Sequence, residues 1–192
     1  MKEKDETKTT RRNLLKNSGL VILGGLVGQG ILSKKAAAEI EAEAATTGIH
    51  HAMWTMGYSG EIEYPDRVQS FVRKGWGLEI TAKPSTVNWI HFAIPTPVIV
   101  DARRLRADKV ILLYKTGSAD AWLSDVHVWD GLYRRKTEVV TTWPRGVLAY
   151  RTVDLPNPFV YYGIGISVCI KCGVEMMSHN FSFYAAGCDF IL

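Results

Sequence analysis

Apolar and polar side chains alternate in short runs along residues 46–192. Ile90, Phe92 and Ile94 recur at every second position, with Ile80 and Val87 ahead of them. Lys109–Lys115 is a compact apolar run bounded by charge, and Ser124–Asp130 alternates, with Val126 and Val128 on one side and His127 and Trp129 on the other. Residues 136–142 and 147–153 are rich in β-branched and aromatic residues. Turn residues separate these runs: Gly75-Trp76-Gly77, Lys83-Pro84-Ser85, Thr116-Gly117-Ser118, Asp130-Gly131, Trp143-Pro144-Arg145-Gly146 and Pro156-Asn157-Pro158. Short strands separated by about 8–12 residues, with few sustained helical patterns, predict a sandwich or barrel. The expectation is one jelly-roll-like antiparallel β-sandwich over residues 46–192. Phe159–Cys169 and Phe181–Leu192 read as its closing hairpin. Pro95 and Pro97 cannot serve a central ladder, so their segment is expected at an edge, a bulge or a loop.

The first 45 residues follow a different pattern. A polar stretch ends in Thr10-Arg11-Arg12-Asn13-Leu14-Leu15-Lys16, and an apolar run from Gly19 to Leu32, softened by five glycines, follows it. A comfortable membrane span needs about 20 apolar residues, whereas signal-peptide apolar regions need only about 7–15. Lys34 and Lys35 come next, then Ala42-Glu43-Ala44 as a small-x-small cleavage site, with Ala36-Ala37-Ala38 as an earlier alternative. This order predicts a twin-arginine signal over residues 1–45, read through Arg11 and Arg12 by the twin-arginine translocase. The expected location is periplasmic or extracellular, with no further membrane span. Such a route carries folded proteins, often with a cofactor already inserted, so a transition metal is open but not required.

Charge narrows the partners. Residues 1–45 hold 8 of the 23 basic and 6 of the 19 acidic residues, which leaves the remaining domain at +2. A nucleic-acid binder needs a far stronger basic field, so that class is set aside.

The stretch Asn88–Asp101, with Val126-His127-Val128-Trp129-Asp130-Gly131 and Gly163-Ile164-Gly165-Ile166-Ser167, resembles a family of uncharacterised exported bacterial domains. The resemblance covers most of residues 51–192. It implies a β-sandwich and transfers no activity and no site.

Candidate chemistry then comes from the residues alone. If Ile90 and Phe92 face the core, Trp89 and His91 lie on the opposite side of their strand. The same parity sets His127 and Trp129 opposite Val126 and Val128. On one sheet the four would form an aromatic platform able to stack a sugar ring, or to hold copper or zinc through His91 and His127. The bland alternative is two half-buried strands covered by a loop or a neighbour. Cys169-Ile170-Lys171-Cys172, with Cys188, offers a metal or thiol site to which His179 could contribute; a disulfide at a hairpin tip or inert thiols is the alternative. His50-His51 reads as a flexible leader. Arg103, Arg104 and Arg106, echoed by Arg134, Arg135 and Lys136, could meet an anionic ligand or simply face solvent. No nucleophile elbow, zinc-protease motif, phosphate loop or haem-attachment motif occurs, and no spacing pairs the carboxylates as acid and base. The reading is an exported, non-catalytic module that binds carbohydrate or another exported protein through its aromatic face. The alternative is a small metalloprotein or an accessory subunit of an exported redox complex.

Overall fold

The computed structural model describes residues 48–174 and 177–192. Arg11 and Arg12, the apolar run Gly19–Leu32 and the expected cleavage sites lie outside the described residues. In chain order the strands are β1 (His51–Met56), β2 (Glu61–Ile62), β3 (Val68–Lys74), β4 (Gly77–Ala82) and β5 (Val87–Ala93). A short ribbon of β6 (Ile99–Val100) and β7 (Arg103–Arg104) follows, then β8 (Arg106–Thr116), β9 (Ala121–Asp130) and β10 (Tyr133–Val139). β11 (Leu148–Asp154), β12 (Ile164–Cys172) and β13 (Asn180–Ile191) complete the set. Among the described residues the only helical pieces are two 3-10 turns, Gly57–Ser59 and Pro65–Arg67.

Two antiparallel sheets form the sandwich. One runs β11-β8-β13-β4-β3 with β1 also paired to β13, and the other runs β10-β9-β12-β5-β2. Alternation explains which side each buries. Leu78, Ile80, Phe181 and Phe183 face inward from the first sheet, and Ile90, Phe92, Val126, Val128, Ile166 and Val168 from the second. Phe92 and Phe183 meet across the gap with ring centroids 5.5 Å apart. Burying such aromatic and aliphatic side chains stabilises the fold by about 1.5–3 kcal/mol each, before the entropy of ordering them.

Three expectations change. The C-terminal pair is not a hairpin: β12 belongs to the second sheet and β13 to the first, so the chain crosses the sandwich between them. The C-x-x-C motif therefore has no turn. It lies within continuous β12, where Cys169 points outward and Cys172 inward, and all three cysteines are unpaired and buried. An i to i+3 pair in extended chain separates its Cα atoms by about 10 Å, beyond disulfide reach. Burial first of all raises all three thiols, with Cys172 pushed up to about 12, so they stay protonated and are poor ligands and nucleophiles. Finally, His50-His51 is no loose leader. His50 N donates to Phe190 O, and His51 opens β1, which pairs with β13 from His51↔Phe190 to Met56↔Ala185.

Candidate functional site

The outward side of the second sheet brings the two His/Trp pairs together. β12 lies between β5 and β9, and its register aligns His91, Ser167 and His127 in one row across the three strands. The adjacent row is Trp89, Cys169 and Asp125. Trp89 leans diagonally across β12 until its ring sits 4.6 Å from that of His127, tilted by 38°. This crossing roofs the level of Ser167 and Cys169, and it accounts for their burial on an outward face. His127 in turn meets Trp129 edge-on, 6.2 Å between centroids. The outcome is a half-exposed aromatic run, Trp89–His127–Trp129, laid obliquely over the sheet.

Burial, then the Arg134 guanidinium, lower the pKa of His127, with Asp125 opposing them in part. The ring is therefore neutral at neutral pH and serves as an uncharged slab in the stack. His91 is used differently. Its Nε2 lies 3.1 Å from Glu63 Oε2 and its Nδ1 2.9 Å from Ser167 Oγ. A carboxylate only accepts, so Nε2 donates to Glu63, while Nδ1 shares a hydrogen bond with the Ser167 hydroxyl. Tyr64's hydroxyl holds the Glu63 carboxyl below its ordinary value against the opposing effect of burial, with further help from His91 and Arg67.

A carboxylate–imidazole–hydroxyl chain invites comparison with a hydrolytic triad. The backbone around Ser167 argues against one. β12 is laddered on both sides, so its N–H groups are spent on β5 and β9 and none is left as an oxyanion donor. The chain orients polar groups on the platform. As a metal pair, His91 and His127 are poorly disposed. Both nitrogens of His91 are engaged, and among the described residues no three His, Cys, Asp or Glu side chains come together as a ligand set. His179 sits elsewhere, buried with its Nε2 2.9 Å from Asp120 Oδ2.

Two members of this face were invisible to alternation. Glu63 lies outside any strand, 28 residues before its partner His91. Trp122 shares the parity of Val126 and Val128, which should send it inward. A bulge at Ser124, marked by the register jump from Cys169↔Asp125 to Ile170↔Leu123, turns it out beside Lys171. There the Arg145 guanidinium covers it at 4.7 Å.

Asp130 anchors the Trp129 end. Its carboxylate is fully buried and collects three successive backbone donors, Tyr161 N at 3.0 Å, Tyr162 N at 2.7 Å and Gly163 N at 3.1 Å. Arg135 adds a fourth at 2.8 Å. Burial would raise its pKa, but the Arg135 hydrogen bond and the three N–H groups outweigh burial and lower it. The loop leading into β12 is thereby tied to the end of β9.

Among solved structures, the fold is similar to the exo-β-1,3-galactanase of Phanerochaete chrysosporium with galactose. That likeness has 12% identity and a TM-score of 0.41, over 76% of this chain and 31% of that one, so the chain spans less than a third of the galactanase. It is also similar to a family 29 carbohydrate-binding module from Piromyces equi, at 12% identity and a TM-score of 0.35, over 69% of this chain and 91% of the module. Both likenesses concern fold alone. No curated protein matches the sequence. Residues 49–179, from β1 through β12, match DUF6623, a family of unknown function, and the chain belongs to that family.

Proposed function

We propose that the outward face of the β10-β9-β12-β5-β2 sheet is a saccharide-binding platform and that the domain is a non-catalytic binding module. The observation that carries this reading is the Trp89–His127–Trp129 run, half-exposed and bordered by His91, Asp125 and Lys171. A pyranose ring offers an apolar C–H face for stacking and a rim of hydroxyls for polar groups, and this surface supplies both. Trp89→Ala and Trp129→Ala each remove one stacking surface. Each is expected to weaken retention on an immobilised polysaccharide by about 30-fold, equivalent to ~2 kcal/mol for an aromatic anchor. Affinity electrophoresis through a panel of polysaccharides reads this directly, and circular dichroism checks that the fold persists. Unchanged mobility of wild type in every gel would end the saccharide reading and leave a protein partner on the same face.

We further infer export by the twin-arginine translocase, which rests on Thr10–Lys16, the apolar run behind it and Ala42-Glu43-Ala44. The double substitution Arg11→Lys and Arg12→Lys keeps the charge but removes the paired guanidinium groups. It is expected to cut the exported fraction severalfold in a fractionation blot, and an unchanged distribution would remove this assignment.

A further inference from the structure

The basic residues flagged by the sequence have not been used by the platform, and the fold gathers four of them at its Trp129 end. Leu105 is fully buried, so Arg104 and Arg106 on either side of it point out together. The segment 158–160 runs antiparallel beside them, with Ala107 N donating to Pro158 O and Val160 N to Leu105 O. This register lays each guanidinium on an aromatic ring: Arg106 over Phe159 at 4.3 Å and Arg104 over Tyr161 at 4.6 Å. Arg135 also lies 5.9 Å from the Tyr161 ring and 5.5 Å from that of Tyr133. Its neighbour Arg134 lies over Trp129 at 5.8 Å, which joins the cluster to the platform.

Charge balance separates this cluster from an ordinary solvated face. Arg135 is paired with Asp130, but among the described residues Arg104, Arg106 and Arg134 make no ion pair. The Nε–H groups of Arg106 and Arg135 are buried donors with no acceptor. The rings beneath are well exposed, Phe159 at 42%, Tyr161 at 52% and Tyr133 at 49%, an unusual outlay of apolar surface for a region that only faces water. A guanidinium stacked by its face on an aromatic still directs its remaining terminal N–H groups outward, where they can donate to a carboxylate or sulfate.

We propose that the ligand of the platform is an anionic polysaccharide, whose uronate or sulfate groups are taken by Arg104, Arg106 and Arg134 while its rings stack on Trp89 and Trp129. This rests on the saccharide reading above and adds the charge class. The test uses the full chain and three pairs of polymers that share a backbone and differ in charge: polygalacturonate and its methyl ester, carboxymethylcellulose and hydroxyethylcellulose, dextran sulfate and dextran. In at least one pair the charged member should be held about tenfold or more tightly, with a preference that fades as salt is added. Arg104→Gln with Arg106→Gln should bring that ratio close to one and leave the neutral member's retention unchanged. Arg104 NH1 also donates to Val160 O, so that variant could unfold. Arg134→Gln covers this case, because its exposed side chain has no hydrogen-bond role to lose, and it too should reduce the preference. Equal retention within every pair that binds, or a preference untouched by the arginine variants, overturns the inference while the platform stands. Retention of no polymer at all overturns both, as does binding confined to anionic lipid vesicles.

Discussion

Asp130→Asn is expected to destabilise the domain by about 3–5 kcal/mol, the cost of removing one partner of a buried, hydrogen-bonded charge pair. The amide is nearly isosteric, so packing does not account for the loss. In the native carboxylate, Oδ1 takes the Tyr162 and Gly163 N–H groups, and Oδ2 takes Tyr161 N–H and Arg135. An amide has one oxygen, and whichever way it is turned its NH2 faces donors. A domain of this size responds by roughly 2–4 °C in Tm per kcal/mol, so calorimetry should record a fall on the order of 10 °C. The pH dependence gives an independent signature. The folded pKa of Asp130 is lowered, so its contribution is fully present above the unfolded value of about 3.9 and is lost as pH falls through the folded pKa. Wild type should therefore lose stability through acid faster than the Asn variant, and the two curves should converge at low pH. A constant gap down to the acid limit would show that charge at Asp130 is not the source.

Gly57→Ala should cost about 3 kcal/mol, at the upper end for overpacking. A Cβ on Gly57 would overlap the carbonyl oxygen of Phe183, and the Cβ position of Gly77 crowds the same carbonyl. Phe183 is fully buried and sits where β13 shifts register against β8, so that backbone cannot retreat without disturbing two strand pairings and the Phe92 contact. Gly75→Ala is the control, since a methyl there meets nothing within 4 Å. Chemical denaturation of the pair should separate them clearly, and equal midpoints would mean that the β13 backbone yields.

The parts of this molecule readable in advance are those where period-two alternation runs unbroken. β5 and the second half of β9 alternate without interruption, so the shared outward side of Trp89, His91, His127 and Trp129 follows from parity, and the structure sets them on neighbouring rows. Parity fails at bulges. Ser124 reverses Trp122, and in β13 the inward set changes from Phe181 and Phe183 to Ala186, Cys188 and Phe190 across the register jump after Phe183. Pairing is harder still to read. β12 and β13 are adjacent in sequence, which favoured a hairpin, but only the three-dimensional register shows that each is laddered within its own sheet. β3 was missed because it is an edge strand whose burial pattern is largely exposed. Glu63 and the Asp130 loop clamp depend on contacts across 28 and more residues, for which a single sequence offers no spacing rule.

The central place of β13 fixes the order in which the domain can be assembled during synthesis. Among the described residues β13 is the only partner of β1 and the shared neighbour of β8 and β4, so it unites three otherwise separate pieces of the larger sheet. It is also translated after every other strand of the domain. Until then β1 has nothing to pair with, and the β8–β11 and β3–β4 ribbons leave the inner faces of both sheets uncovered. Bringing β1 to β13 closes a loop of well over a hundred residues, an entropic cost met only when the last strand arrives. A chain in which β13 has not yet joined therefore holds unpaired edges and uncovered apolar surface, the kind of species most exposed to aggregation.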